Sequence, residues 1–256
     1  MSSSESNSSM SERLAVANRV VGYWYNTLGL GHLLMTFGHV SERIKHSNTF
    51  LIRGRPAVND SLINTRTNEI MEVDLNAVKV SGQPGVSMPG ETKMHSFIYK
   101  YRNDVSAVCH AHPHYCVLAS VLGLKLKPIC NEGIDLFPVP QYDNNALIAT
   151  DELGQHVASA LGKSVACILR GHGAVTVADT CEVAVIRMMQ LEEQARLNFL
   201  AFTGMGADYE GIPEDQAAVY MEATWQGLRR AGLPEEQAKA HLGGMNLWSY
   251  LASQVS

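Results

Sequence analysis

The segment AVCHAHPHYC, residues 107–116, carries three histidines and two cysteines in ten positions, a density that core packing does not require. Alternate side chains of a β-strand project from the same face of the sheet. A strand here directs His110 and His112 to one side and the residues between and before them to the other, and Pro113 ends it. Because two imidazoles on one face can bind a single divalent cation, the segment predicts a buried strand that supplies half of a metal site.

A catalytic metal ion commonly has about three or four protein ligands and an open position, so further ligands must come from elsewhere in the chain. His172 is the best third candidate, because the glycines on either side of it permit a tight backbone and leave space beside the imidazole. Glu91 lies in the first turn of the predicted helix that precedes the histidine strand, and it is the natural carboxylate for ligation or proton transfer. With these groups available, thiolate ligation by Cys109 or Cys116 is unnecessary.

The composition is that of an ordinary globular protein with a small-molecule partner. The 256 residues are 46% hydrophobic and 18% charged, which is enough to bury a sizeable core. The net charge is −5 and no basic run is interleaved with aromatic residues, which argues against nucleic acid and against a membrane surface as partners. Five cysteines, an odd number without a CxxC pair, indicate reduced thiols in a cytoplasmic protein.

Hydrophobic spacing predicts that the chain opens with a helix followed by an antiparallel meander. Apolar residues recur at helical spacing over residues 14–24. The segments TFGHVSERI and TFLIRG then alternate as two strands of a hairpin, and NEIMEVDLNAVKVSG alternates in the same way. This order is unlike the βαβ opening of a Rossmann fold.

The second half of the chain combines helices with two short strands. A helix that begins just after Pro89 is predicted, because apolar residues recur at helical spacing over residues 94–101, and Glu91 lies in its first turn. Two strands are predicted to meet at the Gly-His-Gly of residues 171–173. A long helix is expected over residues 180–202. The segments PEDQAAVYMEATWQGLRRAG and PEEQAKAHLGGMNLWSYLAS are also predicted to be helical.

The N-terminal segment MSSSESNSSMSER is polar and serine-rich, and it lacks the basic and apolar regions of a signal peptide. We therefore expect a flexible tail over residues 1–12. Neither a repeat of fixed period nor a Pro/Ser-rich linker divides the remainder. Residues 13–256 are accordingly predicted to form a single domain.

The order MPGE, AVCHAHPH and RGHGAV, with GHVS upstream, resembles the class II aldolase/adducin family. The resemblance runs through most of the chain, from FGHVSERI to the long helix after Thr180. HxH and GHG can each be structural when they occur alone, but their order and separation make the match specific. The resemblance implies an α/β fold, a three-layer α/β/α sandwich around a largely antiparallel central sheet, and a homo-oligomer, typically a tetramer with active sites at subunit interfaces.

The resemblance also implies a four-ligand metal site, which maps onto Glu91, His110, His112 and His172. One divalent cation per subunit is expected, and zinc, manganese, iron and cobalt all suit three imidazoles and one carboxylate. Such a cation can polarise a carbonyl or hydroxyl oxygen and stabilise an adjacent carbanion. That ability serves both the aldol cleavage of a hydroxyketone and the loss of carbon dioxide from a carboxylic acid.

The residues expected around the substrate depart from those of the sugar-phosphate aldolases in this family. Those relatives carry a Gly-Asn, a Thr-Gly and a Ser-Ser pair that bind the substrate phosphate. This chain has Gly38-His39, the segment IRGRPAV with Arg53 and Arg55, and Pro89-Gly90 in their places. The loss of these hydrogen-bond donors argues against a phosphorylated substrate.

Arginine offers a planar fork that matches a carboxylate, so Arg53 or Arg55 could bind an acidic substituent of the substrate. Each could equally be a surface arginine beside a turn. FGHVSER and MPGE resemble the branch of the family that decarboxylates hydroxylated aromatic or heteroaromatic acids. The favoured function is therefore that of a metal-dependent non-oxidative decarboxylase acting on a small-molecule carboxylate of this kind.

Glu91 and His39 are the candidates for donating a proton to the ring carbon, since an imidazole titrates near neutral pH. His39 could instead be a loop histidine bound to backbone. Ser41 either orients the substrate or holds the turn. His95 stands one helical turn after Glu91 and is a candidate to hydrogen-bond to it. His114 is expected at the start of a helix.

Three alternatives remain open at this point. The first is an aldolase or epimerase that acts on an unphosphorylated hydroxyacid or sugar. The second is a non-catalytic, adducin-like interaction module, which would be expected to lose metal ligands. The third is an iron-dependent oxygenase on the same scaffold. Release of carbon dioxide distinguishes a decarboxylase from the first alternative. A protein purified without metal would favour the second, and consumption of oxygen would favour the third.

Overall fold

The computed structural model describes residues 3–232 and 245–256. The helices are α1 (Ser3–Thr27), α2 (Gly31–Leu34), α3 (Thr92–Tyr101), α4 (His114–Val121), α5 (Asp151–Leu161), α6 (Cys181–Met205), α7 (Glu214–Arg230) and α8 (Met245–Ser253). The strands are β1 (His39–Arg43), β2 (Thr49–Arg53), β3 (Arg55–Pro56), β4 (Ile70–Asp74), β5 (Lys79–Ser81), β6 (Val86–Ser87), β7 (Ala107–Ala111), β8 (Gln141–Tyr142), β9 (Ala166–Leu169) and β10 (Gly173–Ala178).

The central sheet has the strand order β5-β4-β2-β1-β7-β10-β9-β8, and β3 and β6 form a separate two-stranded ladder. Neighbouring strands of the central sheet are antiparallel, with β8 and β9 as the parallel exception. The predicted meander is thus present as β1, β2, β4 and β5. The histidine strand β7 lies in the middle of the sheet, where both of its edges are paired.

Helices cover both faces of this sheet, which confirms the predicted α/β/α sandwich. One hydrophobic cluster packs α1, α4 and α6 against side chains such as Val40, Leu51 and Cys109. A second cluster packs α3 and α5 against Ile52 and Val108 on the opposite face. Successive residues of β7 therefore enter different layers, as strand alternation requires. Cys109 faces α1 and α6, whereas His110 faces α3.

Two glycines let neighbouring backbone approach the end of β7. A Cβ atom on Gly173 would lie 2.3 Å from the carbonyl oxygen of Ala111, a distance that no side chain can occupy. Gly38 has a φ of +112°, and a Cβ there would lie 2.9 Å from the carbonyl oxygen of His110. Both positions therefore need glycine, for close approach and, at Gly38, for backbone conformation.

The chain ends differ in part from the expectation. Helix α1 begins at Ser3, so the structure describes residues 3–12, which were predicted to belong to a flexible tail, as the first part of a helix. Met10 continues the helical spacing of the apolar residues that follow it and packs against the hydrophobic core. The second predicted C-terminal helix is present from Met245, and residues 233–244 lie outside the described residues. The assignment of residues 13–256 to one domain remains a prediction.

The described helices include none that is long and apolar enough to cross a lipid bilayer. The longest, α1 and α6, have 25 residues each and carry charged side chains along their length.

The backbone on both sides of Pro113 is held by side chains from α1 and α6. The hydroxyl of Tyr25 accepts a hydrogen bond of 2.8 Å from the backbone N–H of His112. The carboxylate of Glu192 accepts hydrogen bonds of 2.9 and 3.0 Å from the N–H groups of Tyr115 and Cys116, at the start of α4. Burial raises the pKa of Glu192 to about 7, although these hydrogen bonds favour its charged form.

Replacing Glu192 tests how much its hydrogen bonds to the start of α4 stabilise the fold. In Glu192→Gln an amide N–H group would face a backbone N–H, so one buried donor would lose its acceptor. We expect the free energy of unfolding to fall by about 1–3 kcal/mol, measured by urea denaturation. The matched control is Glu193→Gln, because Glu193 forms an exposed pair with Arg196 and should change stability by less than about 1 kcal/mol. If the two substitutions lower the free energy of unfolding equally, the hydrogen bonds of Glu192 do not stabilise the fold as proposed.

Candidate metal centre

Four side chains from separate parts of the chain converge at the end of β7. The Nε2 atom of His110 lies 3.0 Å from Nε2 of His112 and 3.1 Å from Oε2 of Glu91. The Nε2 atom of His172 lies 3.1 Å from Oε1 of Glu91. Their ligand atoms all lie within 4.8 Å of one another. We refer to Glu91, His110, His112 and His172 as the ligand cluster, and it brings together all four predicted metal ligands.

The three imidazoles meet edge to face instead of stacking in parallel. The ring centroids of His110 and His112 are 4.9 Å apart, and those of His172 lie 5.1 and 4.9 Å from them. The ring planes are inclined by 66°, 81° and 87°. This arrangement points the Nε2 atoms toward a common centre.

The backbone sets the tautomer of His110. Its Nδ1 atom lies 2.9 Å from the carbonyl oxygen of Ala174 on β10, and a carbonyl oxygen can only accept a hydrogen bond. Nδ1 therefore carries a hydrogen, and Nε2 is the nitrogen that faces the cluster and can serve as a metal ligand. His110 is completely buried on the central strand, so its ring has a single orientation.

Glu91 is the residue immediately before α3, yet its carboxylate does not cap that helix. The carboxylate instead faces the imidazoles, and Oε1 accepts a hydrogen bond of 3.3 Å from the N–H of Ile148. Burial alone would raise the pKa of this carboxyl group. The neighbouring His110 and His172 more than offset that effect and hold the pKa well below its usual range.

The ligand cluster fits a divalent cation. Burial, together with the nearby His110 and His172, lowers the pKa of His112 to about 2, so this imidazole is neutral. The Nε2 atoms of His110 and His112 are 3.0 Å apart, and the Glu91 carboxylate lies 3.1 Å from Nε2 of His110 and from Nε2 of His172, so four potential ligand atoms surround one small volume. Metal–ligand bonds of about 2.0–2.2 Å to nitrogen and oxygen can bridge atoms spaced in this way. Glu91, His110, His112 and His172 would therefore hold the ion.

His39 lies beside the ligand cluster, as predicted for a catalytic residue. It pairs with His110 across β1 and β7, and its Nε2 atom is 3.9 Å from Oε2 of Glu91. Burial and the imidazoles of His95 and His110 hold the pKa of His39 well below its ordinary value. The alternative of a loop histidine bound to backbone does not fit, because its Nδ1 atom contacts Nε2 of His95 at 2.8 Å.

His95 and Ser41 form a layer behind His39. His95 was a candidate partner of Glu91, but its two ring nitrogens contact His39 and Ser41 instead. Ser41 is 0% exposed, and its hydroxyl contacts His95 and Tyr99 at 2.6 and 2.7 Å. A direct contact of Ser41 with substrate, one of its two predicted roles, is incompatible with this burial. The other predicted role, holding a turn, does not describe Ser41 either, because Ser41 lies within β1 and its hydroxyl connects this strand to α3.

Arg53, which was predicted to bind substrate, is not brought to the ligand cluster of its own chain. Arg53 is 1% exposed, and its guanidinium binds Asp60 and the hydroxyl of Thr65. Along β2 its side chain shares a face with Leu51, which packs in the α1 layer, whereas His39 faces α3. Strand alternation therefore directs Arg53 away from the ligand cluster.

Arg55 remains a candidate for substrate binding. Its Nε atom donates to Asp60 at 2.7 Å, and its side chain is 41% exposed, which leaves the other donors of the guanidinium available. Arg55 pairs with Ser87 in the β3–β6 ladder, four residues before Glu91. This pairing ties Arg55 to the segment that leads into the ligand cluster.

Two apolar residues at this site were not anticipated from the sequence. Phe37 is 45% exposed and stacks on His112, with ring centroids 5.4 Å apart and planes inclined by 20°. Leu147 is 60% exposed and lies next to Ile148, which donates to Glu91. The sequence signals available were the aromatic residue immediately before Gly38-His39 and the apolar pair of residues 147–148. Neither has the periodicity on which secondary-structure arguments depend.

An α/β/α sandwich with three histidines and one glutamate at the end of its central strand defines a class II aldolase type of fold and site. Residues 21–199 match the family model of the Class II Aldolase and Adducin N-terminal domain. The chain belongs to the class II aldolase/adducin family.

Three relatives illustrate the similarity. A 3,4-dihydroxyphthalate decarboxylase of Arthrobacter keyseri is 31% identical over 216 residues, which cover 81% of this chain and 84% of the relative. An L-fuculose phosphate aldolase of Methanococcus maripaludis is 32% identical over 132 residues, which cover 52% of this chain and 70% of the relative. The solved structure of L-fuculose 1-phosphate aldolase from Glaciozyma antarctica PI12 has a TM-score of 0.74 at 23% identity, covers 98% of this chain and 89% of its own, and shows the shared fold.

Removing single ligands tests the metal centre. We expect the purified protein to bind about one divalent cation per chain, and His112→Ala or His172→Ala to lose most of it, as measured by elemental analysis after dialysis. Because a ligand that binds only the folded state stabilises it, a chelator should lower the melting temperature of the wild type and leave these variants unchanged. His114→Ala is the control, since His114 is exposed at the start of α4. Full metal retention by His172→Ala would contradict the assignment.

Proposed function

We propose that this protein is a metal-dependent non-oxidative decarboxylase of a hydroxylated aromatic or heteroaromatic carboxylic acid. The observation that carries the proposal is the intact ligand cluster with the buried imidazole of His39 beside it, where sugar-phosphate aldolases use an amide to bind phosphate. The 31% identity to a 3,4-dihydroxyphthalate decarboxylase over 81% of the chain supports the same function. The cluster also argues against a non-catalytic interaction module, which has no need of four metal ligands.

A divalent cation bound by the ligand cluster supplies a Lewis acid for oxygen substituents of the substrate. In the reaction, the bond between the ring carbon and the carboxyl group breaks and its electron pair remains on the ring carbon. Carbon dioxide leaves, and a proton forms the new C–H bond. Glu91 belongs to the ligand cluster, and Nε2 of His39 lies 3.9 Å from Oε2 of Glu91, which supports a role for both residues in contact with the substrate. They are the candidates for proton transfer and for hydrogen bonding to a substrate oxygen.

Arg55 is proposed to bind a second acidic group of the substrate. Asp60 accepts hydrogen bonds from both Arg53 and Arg55, so a single carboxylate orders the two guanidinium groups. Arg53 is buried in this contact, and Arg55 keeps free donors. A planar guanidinium matches a carboxylate on an aromatic ring.

The exposed aromatic ring of Phe37 supports a planar substrate. Aromatic pairs prefer offset-stacked or edge-to-face contacts, each of which stabilises by about 0.5–1.5 kcal/mol beyond area burial. Phe37 already stacks on His112, a member of the ligand cluster, and is 45% exposed. An aromatic substrate bound beside His112 would therefore have an apolar surface next to it.

We further propose a cytoplasmic homo-oligomer, a tetramer by family resemblance, with a zinc, manganese, iron or cobalt ion in each subunit. Sedimentation analysis and elemental analysis of the native protein test these points separately.

An aldolase or epimerase acting on an unphosphorylated hydroxyacid or sugar is the second candidate, favoured by the 32% identity to an L-fuculose phosphate aldolase. An iron-dependent oxygenase would be revealed by oxygen consumption.

A substrate panel distinguishes the two candidate reactions. We expect the metal-loaded protein to release one carbon dioxide per substrate from 3,4-dihydroxyphthalate, a dihydroxybenzoate or a hydroxylated pyridine carboxylate, measured by a coupled assay and by mass spectrometry of the product. His172→Ala should abolish the release, because it loses a metal ligand. If the protein instead cleaves a hydroxyacid or a sugar into two smaller carbon compounds and releases no carbon dioxide, the decarboxylase proposal is refuted and the aldolase proposal is supported.

Arg55→Ala tests recognition of the second acidic group. Charge-assisted hydrogen bonds contribute about 1.5–3 kcal/mol, so we expect KM for a dicarboxylate substrate to rise about 10- to 100-fold while kcat changes little. A monocarboxylate analogue should be affected much less. Arg66→Ala is the matched control, because Arg66 is an exposed arginine outside the Arg53–Asp60–Arg55 contact. An identical loss on both substrates would exclude this role for Arg55.

A further inference from the structure

A chain of buried hydrogen bonds leads from α3 to the ligand cluster. The hydroxyl of Tyr99 lies 2.7 Å from Oγ of Ser41, and Oγ lies 2.6 Å from Nδ1 of His95. The Nε2 atom of His95 lies 2.8 Å from Nδ1 of His39, whose Nε2 atom faces Glu91. All four side chains are buried, so water does not interrupt the chain.

Each member of this chain has one hydrogen to donate. A hydroxyl carries one hydrogen, and a neutral imidazole carries one on either Nδ1 or Nε2. Burial, and then the neighbouring His110, lowers the pKa of His95 to about 3, so its ring is neutral. The hydrogen bonds must therefore all run in the same direction, either toward His39 or toward Tyr99.

Both ends of the chain favour the direction toward His39. In that direction Tyr99 donates to Ser41 over 2.7 Å, and the hydrogen on Nε2 of His39 faces the carboxylate of Glu91 at 3.9 Å. In the opposite direction the hydroxyl of Tyr99 has to donate to the carbonyl oxygen of Ser106, which is 3.5 Å away. That carbonyl oxygen already accepts a hydrogen bond of 2.7 Å from the N–H of Arg43. A lone pair of His39 would then face a carboxylate, which is unfavourable.

We infer that Tyr99, Ser41 and His95 are positioning residues that set the tautomer of His39, so that its Nδ1 accepts a hydrogen bond from His95 and its Nε2 presents an N–H group to the site. The Tyr99 ring is itself held in place, because the guanidinium of Arg43 lies 4.9 Å from its centroid and donates to its backbone carbonyl. The hydroxyl that begins the chain therefore has a defined position.

The consequence for the reaction rests on the proposed function. A neutral imidazole N–H stabilises an oxygen that gains negative charge in the transition state by donating a hydrogen bond, and it keeps its proton. His39 accordingly binds a substrate oxygen and is not the source of the ring proton. The substrate must then carry an oxygen substituent that can reach His39 while the substrate occupies the ligand cluster.

The tautomer can be measured without any substrate. In zinc-loaded protein labelled with ¹⁵N-histidine, long-range ¹H–¹⁵N correlation distinguishes protonated from bare ring nitrogens, and His39→Asn identifies the His39 signals. We expect Nε2 of His39 to be protonated and Nδ1 to be bare. Protonation on Nδ1 in the wild type would overturn the inference, whatever the substrate is. The failure of the proposed reaction would leave this result untouched.

Substitutions at His95 provide a matched pair. In His95→Gln the amide can donate to His39 and accept from Ser41, so the Nε2–H tautomer should persist. In His95→Glu the ionised carboxylate can only accept, so the hydrogen on His39 should move to Nδ1. The same tautomer in both variants would show that the chain does not set it. Melting temperatures and metal contents of both variants confirm that each is folded and loaded.

Activity provides the second readout. Ser41→Ala and Tyr99→Phe should lower kcat about 10- to 100-fold, as expected for a weakened oxyanion donor, with little change in KM or metal content. His95→Gln should retain more activity than His95→Leu. Tyr101→Phe is the control, because Tyr101 lies on the same helix and is exposed. A loss of metal in parallel with activity would instead indicate a merely structural role.

Discussion

The carboxylate of Glu91 lies buried among three imidazoles, and a charge placed so far from water must be balanced locally. An unpaired buried charge costs several kcal/mol, which is more than most single interactions contribute to folding. His110 and His172 provide part of the balance, and a divalent cation would complete it. The arrangement of β7, the turn between β9 and β10, and the start of α3 all serve to bring these charges together.

Much of the surrounding structure restricts how these groups can move. Tyr25 from α1 and Glu192 from α6 hold the backbone next to His112, and the carbonyl of Ala174 holds the ring of His110. These contacts come from three different elements, so the position of the ligand cluster depends on correct packing of both helical layers against the sheet. Preorganisation of this kind avoids a reorganisation cost when a substrate or metal binds.

The polar layer behind His39 shows how buried hydrogen bonding extends the site. None of Ser41, His95 and Tyr99 reaches solvent, yet each satisfies its neighbour, which avoids the cost of unpaired buried groups. The network connects β1 with α3, so the strand that carries His39 and the helix that follows Glu91 cannot shift independently. The same contacts that stabilise the fold thus define the chemistry that His39 can perform.

Local spacing was sufficient to predict His110 and His112 as a pair, the helices α1, α3 and α6, and the meander, because alternation and helical periodicity are properties of neighbouring residues. The flanking glycines of His172 and the position of Glu91 ahead of a predicted helix made these residues candidates, and the resemblance to the family supported the full set of four. The partners of Arg53, Ser41 and His95 could not be predicted. Ser41 and His95 are 54 residues apart, and Arg53 turns away from the ligand cluster because of its register on β2 and its contact with Asp60. Which buried donor meets which acceptor is decided when sheet and helices pack, since only then do distant side chains share one low-dielectric space.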